Sequence, residues 1–204
     1  PLPVEVRVSP LSIDGKTIFS AFLHDITERK QVEAIREHEA THDPLTGLLN
    51  RRGMFDLLSQ AIARVKRTRA SLALLFIDLD GFKQINDTHG HEAGDAVLRE
   101  VAARLQASIR QTDTAARLGG DEFTVILENI KHGIPDANML AQKILETLQH
   151  PIQLDSVTAT ISASIGISMH HPDDERSADQ LVSAADSAMY TAKHAGKAQV
   201  CIHK

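Results

Sequence analysis

The chain contains 204 residues, of which 42% are hydrophobic and 24% charged, and this is enough to bury one sizeable core. A net charge of -5 and an aromatic content of 3% argue against nucleic acid as a partner, because such binding favours a basic face and stacking platforms. The single cysteine, Cys201, excludes an internal disulfide, and no apolar run is long enough to span a membrane. We therefore expect a cytoplasmic location, with any membrane anchor lying upstream of this chain.

The first 42 residues predict two strands followed by a helix. "VEVRVSPL" alternates apolar and polar residues, "DGK" is typical of a turn, and "TIFSAFLHDI" runs back. From Thr27 the sequence "TERKQVEAIREHEATH" has no Gly or Pro and is rich in charge, which predicts an exposed helix of about four turns. We assign residues 1–27 to the end of one domain and 28–42 to a helical connector.

A second domain is predicted over residues 43–204. Asp43 followed by Pro44 is a signal for the start of a helix, with an acceptor at the cap and a proline in the first turn. The pattern further on predicts helices interleaved with strands, and hence an α+β fold. The predicted helices cover 51–68, 97–109, 136–149 and 178–194, and the predicted strands cover 72–77, the "TAARL" and "EFTVIL" hairpin, and stretches near 157–169 and 198–202.

Acidic residues lie at the ends of two of these predicted strands. In "RLGGDEF", Gly119 and Gly120 suit a two-residue hairpin loop, and taken alone they indicate no more than a well-made turn. Asp78 and Asp80 end the apolar strand "LALLFI" and point to the same face, because they are two residues apart. If the hairpin lies beside that strand, Asp78 converges with Asp121 or Glu122 on a divalent cation such as Mg²⁺.

Basic and amide side chains near these acids are suited to a nucleotide. Lys83 follows the acidic strand end, where "GFKQIN" opens a helix whose first N–H groups suit phosphate oxygens. Asn86 and Asp95 offer an amide and a carboxylate, a pairing suited to guanine. Lys193 and Lys197 come four apart at a helix end, where a solvated helix terminus is the alternative interpretation.

Four segments together resemble one known family. "DPLTGLLNRRGMF", "FIDLDGFKQINDTHGHEAGD", "RLGGDEF" and "ADSAMYTAKHAGK" occur in order across residues 43–204 and are similar to the GGDEF domain of diguanylate cyclases. The resemblance implies a central, mainly antiparallel five-stranded sheet surrounded by helices. It also implies condensation of two GTP molecules into cyclic di-GMP, a bacterial second messenger, with release of two pyrophosphates.

The resemblance assigns roles to individual residues. The metal ligands it implies for Mg²⁺ or Mn²⁺ are Asp78, the carbonyl of Leu79, Asp121 and Glu122, and Glu122 is alternatively the group that deprotonates the attacking 3′-hydroxyl. The implied substrate-binding residues are Asn86 and Asp95 for guanine, Lys83, Lys193 and Lys197 for the phosphates, and Phe82 beside them. Lys197 stands where the family usually has arginine, which keeps the charge but loses the two-pronged fork for phosphate.

Assembly and regulation follow from the same resemblance. One such site holds one GTP, so the reaction requires a homodimer in which two sites face each other, and the connector is the expected place of control. Arg110 and Asp113 match the offset of the family's inhibitory cyclic di-GMP site. The opening residues resemble the tail of a PAS sensor domain. An alternative function is a module that binds GTP or cyclic di-GMP and regulates a neighbouring domain without turnover.

Three further motifs are set aside. His38 to His42, "HEATH", has the H-E-x-x-H spacing of a zinc protease but lies in the charged connector. "GKT" at 15–17 lacks the upstream glycine of a phosphate-binding loop. His170 and His171 precede Pro172, and we interpret this pair as part of a surface loop rather than a metal site.

Overall fold

A computed structural model describes residues 2–13, 16–154 and 157–203. The chain divides into two compact units, Pro1–Ala40 and Thr41–Lys204. None of the helices in the described residues combines the length and apolarity needed to cross a bilayer.

The N-terminal unit contains the two predicted strands and most of the predicted helix. β1 (Val4–Ile13) pairs antiparallel with β2 (Lys16–Asp25), and α1 spans Thr27–Thr41. Asp25, the last residue of β2, contacts the first residue of the helix, because its Oδ1 accepts hydrogen bonds from the backbone N–H and the hydroxyl of Thr27. The turn predicted at "DGK" falls on Asp14 and Gly15, which lie outside the described residues.

The second unit is built on a five-stranded sheet. The strand order is β4-β5-β3-β8-β9, and every neighbouring pair is antiparallel except β8 and β9. The predicted α+β class and the mainly antiparallel five-stranded sheet are therefore confirmed. The elements are α2 (Arg51–Thr68), β3 (Ser71–Asp80), α3 (Phe82–His89), α4 (His91–Ser108), β4 (Thr114–Gly119), β5 (Glu122–Ile130), α5 (Ile134–Gln149), β6 (Ile152–Leu154), β7 (Val157–Ala159), β8 (Ser162–His170), α6 (Ala178–His194) and β9 (Val200–Ile202).

The central strand β3 is buried on both faces, as its continuous apolar run predicts. Its side chains alternate between two cores. Leu75, Ile77 and Leu79 pack with residues of α4 and α5, whereas Leu74 and Phe76 pack with residues of α2 and α6. Asp78 therefore continues the face that α2 and α6 cover.

The strand β8 lies very close to α6 at Gly166. A Cβ atom built on Gly166 would lie 2.0 Å from the carbonyl oxygen of Ala185 and 2.2 Å from the backbone nitrogen of Met189. Real Cβ atoms do not approach backbone atoms so closely, so only glycine permits this packing. The contact fixes the height of α6, whose last turn carries Lys193, above the sheet.

The prediction that a helix starts at Asp43 and Pro44 is wrong. Residues 44–46 form a turn, and the helix begins at Arg51 with Asn50 as its N-cap. Asp43 uses its Oδ1 to accept hydrogen bonds from the backbone N–H and the hydroxyl of Thr46, which closes a loop instead of capping a helix. The same loop bridges to the sheet at Leu49, which pairs in parallel with Ala116.

The interpretation of His170 as a loop residue is also wrong. His170 is the last residue of β8 and its side chain is 0% exposed. Its Nδ1 lies 3.4 Å from Asp174 Oδ2, but neither ring nitrogen has a partner in hydrogen-bonding geometry. Burial lowers the pKa of His170, an effect that Asp174 opposes and that Arg176, Lys66 and His171 reinforce.

This burial predicts a stability that falls in mild acid. Because the folded pKa of His170 lies below its ordinary value of 6.5, the unfolded chain takes up the proton first and stability is lost as the pH falls below about 6.5. One proton contributes a slope of at most about 1.4 kcal/mol per pH unit. Thermal unfolding between pH 7.5 and 5.5 should show a shallower decline for His170→Leu than for the parent. His171→Gln, at an exposed neighbour, should keep the parent slope; equal slopes in all three proteins would contradict this assignment.

Candidate active site

The turn that carries the acidic pair differs by one residue from the predicted one. Gly119 pairs with Glu122 in the register of β4 and β5, so the loop residues are Gly120 and Asp121 rather than the two glycines. A register shift between Arg117 and Gly119 accommodates the extra residue, and both glycines have positive φ, 140° and 53°. Asp121 therefore lies at the turn, where its carbonyl oxygen accepts a hydrogen bond of 3.3 Å from Leu79 N.

Three carboxylates lie near the place where β3 ends and β5 begins. Asp78 stands directly opposite Glu122 in the antiparallel register, so their side chains emerge on the same face. Asp78 is 6% exposed, and burial raises its pKa, with the charges of Asp121 and Asp80 adding to the increase. Burial also raises the pKa of Glu122, and Asp78, Asp186 and Asp121 increase it further. Ionising all of these carboxylates together is therefore unfavourable unless nearby cations balance their negative charge.

Two basic side chains supply part of that balance. Lys193 Nζ lies 2.6 Å from Asp78 Oδ1, yet this oxygen has no partner in hydrogen-bonding geometry, so the contact is an ion pair without a directed bond. Arg51 Nη2 lies 3.5 Å from Glu122 Oε2. Both cations partly offset the raised pKa values of the acids that they contact.

An open cleft of about 570 Å³ contains most of the predicted site residues. Those that line it are Asp78, Leu79, Phe82, Lys83, Asp121, Lys193 and Lys197. Gln84 and Asp87 also line it and were not predicted. Glu122 lies beside the cleft through its pairing with Asp78, whereas Asn86 and Asp95 are not among the lining residues.

The donor set fits Mg²⁺. Within the described residues, no group of three or more His, Cys, Asp or Glu forms a ready-made metal cage. Mg²⁺ needs none, since it is commonly held by one or two carboxylates together with substrate phosphates and water. Asp78 and Asp121 share the cleft, and the cation beside the buried Asp78 Oδ1 is Lys193.

The residues predicted to contact phosphate come from α3 and from the end of α6 with the loop that follows it. The first turn of α3 lines the cleft after Gly81, which has φ 83° and offers no side-chain cap to the helix N-terminus. Lys197 lies on the loop after α6 with φ 61°. Asp80 fixes this loop, because its Oδ2 accepts a hydrogen bond from Ala198 N while its Oδ1 accepts one from Ser164 Oγ. Asp80 thus has a structural contact that its spacing from Asp78 did not indicate.

Asn86 and Asp95 are brought together by α3 and α4. Gly90 alone joins the two helices, and its N–H donates to Asn86 O. The side chain of Asn86 lies against Gly94, the residue before Asp95. Asn86 and Asp95 therefore lie next to the point where α3 and α4 contact each other at Gly94.

Arg117 connects the acidic turn to the loop at Asp43, and sequence patterns alone did not reveal it. Its Nη1 lies 3.0 and 3.1 Å from the two carboxylate oxygens of Asp43, while its Nε and Nη2 donate to Gly120 O. Burial would raise the pKa of Asp43, but hydrogen bonds from Thr46 and Arg117 outweigh it and the pKa is lowered. The guanidinium therefore anchors the residue that precedes Asp121.

Replacing Arg117 by Lys tests this anchor. The charge beside Asp43 remains, but an ammonium lacks the fork that also holds Gly120 O, so the turn loses its fixed position. We expect any catalytic activity of the cleft to fall roughly tenfold to a hundredfold, with a small change in Tm, because modest misplacement of reacting groups is costly. Arg64→Lys is the matched control, since Arg64 makes a similar two-pronged pair with Glu128 away from the turn. Equal activity losses in the two variants would contradict the assignment.

Arg110 and Asp113 lie together at a different surface. Both line a cavity of about 350 Å³ that also includes Lys143. Asp113 Oδ2 accepts a hydrogen bond from Arg110 N, and Asp113 Oδ1 accepts one of 3.4 Å from Glu128 N. The carboxylate thus shapes the turn while the side chain of Arg110 is exposed.

Comparison with known proteins identifies the family of this chain. A family model described as "Diguanylate cyclase, GGDEF domain" matches residues 40–199. The chain belongs to the GGDEF diguanylate cyclase family, and the resemblance seen in its four sequence segments is confirmed.

Three similar proteins have names that refer to diguanylate cyclase activity or to bound c-di-GMP. The bifunctional diguanylate cyclase/cyclic di-GMP phosphodiesterase MucR of Pseudomonas aeruginosa is 45% identical over 162 residues, 79% of this chain and 23% of MucR. The diguanylate cyclase TpbB of the same species is 42% identical over 194 residues, 93% of this chain and 44% of TpbB. The solved structure of the coiled coil and GGDEF domain of Caulobacter crescentus DgcB in complex with c-di-GMP has a TM-score of 0.77 at 29% identity, and the match covers 86% of this chain and 91% of that one. The chain thus spans less than half the length of these curated relatives.

Proposed function

We propose that this chain is an active diguanylate cyclase domain that condenses two GTP molecules into cyclic di-GMP and releases two pyrophosphates. The observation that carries the proposal is that Asp78 and Asp121 line one cleft with Lys83, Lys193 and Lys197, while Glu122 stands opposite Asp78 in the strand register. An acidic group of this kind is costly in a free protein and becomes favourable around a cation and a triphosphate.

The acids would hold the divalent ion and manage the proton. Asp78, Asp121 and the carbonyl of Leu79 are proposed to hold Mg²⁺ or Mn²⁺, which when bound supplies charge neutralisation at the reacting phosphate. In each transfer a ribose 3′-oxygen attacks an α-phosphorus and the bond from that phosphorus to pyrophosphate breaks. Glu122 is proposed either to complete the metal site or to accept the 3′-hydroxyl proton. Its place opposite Asp78 in the strand register suits either role.

The remaining residues would bind the nucleotide. Lys83, Lys193, Lys197 and the first amides of α3 are proposed to contact the phosphates, with Phe82 below them. For Lys193 this requires exchange of its ion pair with Asp78 for a phosphate oxygen once a metal balances Asp78. Asn86 and Asp95 are proposed to bind guanine, whose N1–H and N2–H₂ suit a carboxylate and whose O6 suits an amide N–H.

Turnover would require two copies of the chain, each presenting one bound GTP to the other. We propose residues 28–42 as the connector that controls this homodimer, and residues 1–27 as the tail of a PAS domain. Val32 and Ile35 on α1 are 41% and 57% exposed, and their apolar side chains suit a helix–helix contact. Arg110 and Asp113 are proposed to bind the product and inhibit the enzyme.

The direct test is GTP conversion with Mg²⁺ as a function of protein concentration. Cyclic di-GMP should form at a rate that rises with the square of the concentration in the dilute range, because two chains build each reacting pair. Glu122→Gln should remain folded and lose turnover. A well-folded dimeric sample that forms no product would refute the proposal for this chain.

A second candidate is a domain that binds GTP or cyclic di-GMP without turnover. The observations in its favour are the Lys193–Asp78 ion pair, which occupies an implied metal ligand, and Lys197 in place of the usual arginine. This candidate predicts saturable GTP binding with no pyrophosphate release at any protein concentration.

A further inference from the structure

Gly94 lies at a point where any side chain would strike the amide of Asn86. A Cβ atom built on Gly94 would lie 1.9 Å from Asn86 Oδ1, 2.9 Å from Asn86 Cγ and 3.3 Å from Phe82 Cζ. The first two separations are far inside van der Waals contact, so the amide group itself fills the space that a side chain at position 94 would occupy. Gly94 is buried within α4 and has no positive φ, so its conformation does not require glycine.

Hydrogen bonds hold the backbone of Asn86 and Gly94 in place around this contact, so the overlap must be relieved by movement of the Asn86 side chain. Asn86 is in the last turn of α3, where its carbonyl oxygen accepts a 2.9 Å hydrogen bond from Gly90 N. Gly94 N in turn donates to Gly90 O at 3.2 Å, so one residue ties both helix ends together. Along the described part of the chain, no residue hydrogen-bonds the Asn86 amide, which leaves its donor and acceptor available to a ligand.

From this geometry we propose that Gly94 is a specificity-determining residue: its missing side chain provides the space in which the Asn86 amide stands beside Asp95 and selects guanine. This inference rests on the proposed function, since it assumes that Asn86 and Asp95 bind the base. A methyl group at position 94 displaces the amide from its position while leaving the phosphate end of the cleft unchanged. The expected defect is therefore in base selection rather than in triphosphate binding.

The experiment measures binding of 3′-deoxy-GTP and 3′-deoxy-ATP with Mg²⁺, because these nucleotides lack the attacking hydroxyl and are not consumed. Gly94→Ala should reduce the preference for the guanine nucleotide about tenfold or more, the effect of leaving polar groups of the base unpaired. Asn86→Ala should give a similar reduction. The double variant should be no worse than either single variant, because both changes remove the same contact. Affinity for inorganic tripolyphosphate should be unchanged in all of them.

Thermal unfolding separates this role from a general packing defect. If the overlap with Asn86 is what disturbs Gly94→Ala, adding Asn86→Ala removes the obstructing atoms and should restore Tm. A double variant as unstable as Gly94→Ala alone, or losses in the guanine preference that multiply, would overturn the proposal.

Failure of the proposed function gives a different result. If the parent protein does not prefer 3′-deoxy-GTP over 3′-deoxy-ATP, the proposed guanine site itself is refuted. In the other case the parent prefers the guanine nucleotide and Asn86→Ala loses that preference, but Gly94→Ala keeps it. That result refutes the role of Gly94 and leaves the guanine site in place.

Discussion

Replacing Asp78 by Asn should abolish cyclic di-GMP synthesis while leaving the fold intact. Asparagine keeps the shape of the side chain but removes the charge that the proposed metal site needs, and we expect turnover to fall by about a thousandfold or more. Titration with Mg²⁺ should no longer raise the affinity for GTP. The readouts are turnover and Mg²⁺-dependent GTP binding.

The same change should not destabilise the metal-free protein. The raised pKa of Asp78 means that the folded state holds its proton more tightly than the unfolded state, so ionisation of this group lowers stability as the pH rises through and above its ordinary value of 3.8. The substitution Asp78→Asn removes that penalty at neutral pH, although Lys193 loses its partner and turns to solvent. We therefore expect an equal or higher Tm without Mg²⁺. Asp56→Asn, at an exposed position of α2, is the control for loss of one charge; a large fall in Tm for Asp78→Asn would contradict a functional origin of the acidic cluster.

Replacing Gly166 by Ala should cause a severe loss of stability. The added Cβ would overlap backbone atoms of Ala185 and Met189, and helix backbone cannot rotate away as a side chain does. We expect the free energy of unfolding to fall by about 3 kcal/mol or more. For a unit of this size the loss corresponds to a decrease in Tm of about 10 °C, measurable by calorimetry.

Gly133→Ala provides the comparison that isolates steric overlap. Gly133 has φ 67°, which is strained for alanine, but no atom lies within 4 Å of the added Cβ. Because its ψ of -133° lies outside the left-handed helical region, the expected cost of backbone strain alone is about 1–3 kcal/mol. If the two variants lose the same stability, the closeness of β8 and α6 is not what makes Gly166 necessary.

The main elements of the second unit were predictable from local patterns. The apolar spacing over α2 gave its bounds, 51–68, because Met54, Leu58 and Val65 form one buried stripe. The apolar run of β3 predicted a strand covered on both faces, and the capping box at Ser177 and Gln180 predicted the start of α6. Each of these signals lies within the element that it predicts, so no contact with a distant residue was needed to recognise it.

The predictions that failed, and the contacts that were missed, depend on interactions that local patterns do not show. Asp43 is a residue type that often caps helices. Its carboxylate instead binds the guanidinium of Arg117, 74 residues later, and the segment forms a loop. The shift of the hairpin loop to Gly120 and Asp121 depends on a register irregularity that two adjacent glycines do not reveal. Arg51 beside Glu122 and Gly94 beside Asn86 are likewise tertiary contacts between residues of ordinary local pattern.

The pairing of Leu49 with the outer strand has a consequence for how this protein is trimmed and handled. Leu49 O accepts a 2.8 Å hydrogen bond from Arg117 N, and Leu49 bridges Ala116, so the loop occupies hydrogen-bonding groups on the free side of β4. A shortened version beginning at the first helix of the second unit would uncover those groups and offer them to strands of other molecules. Retaining the loop before that helix therefore guards against self-association as well as supporting the acidic turn.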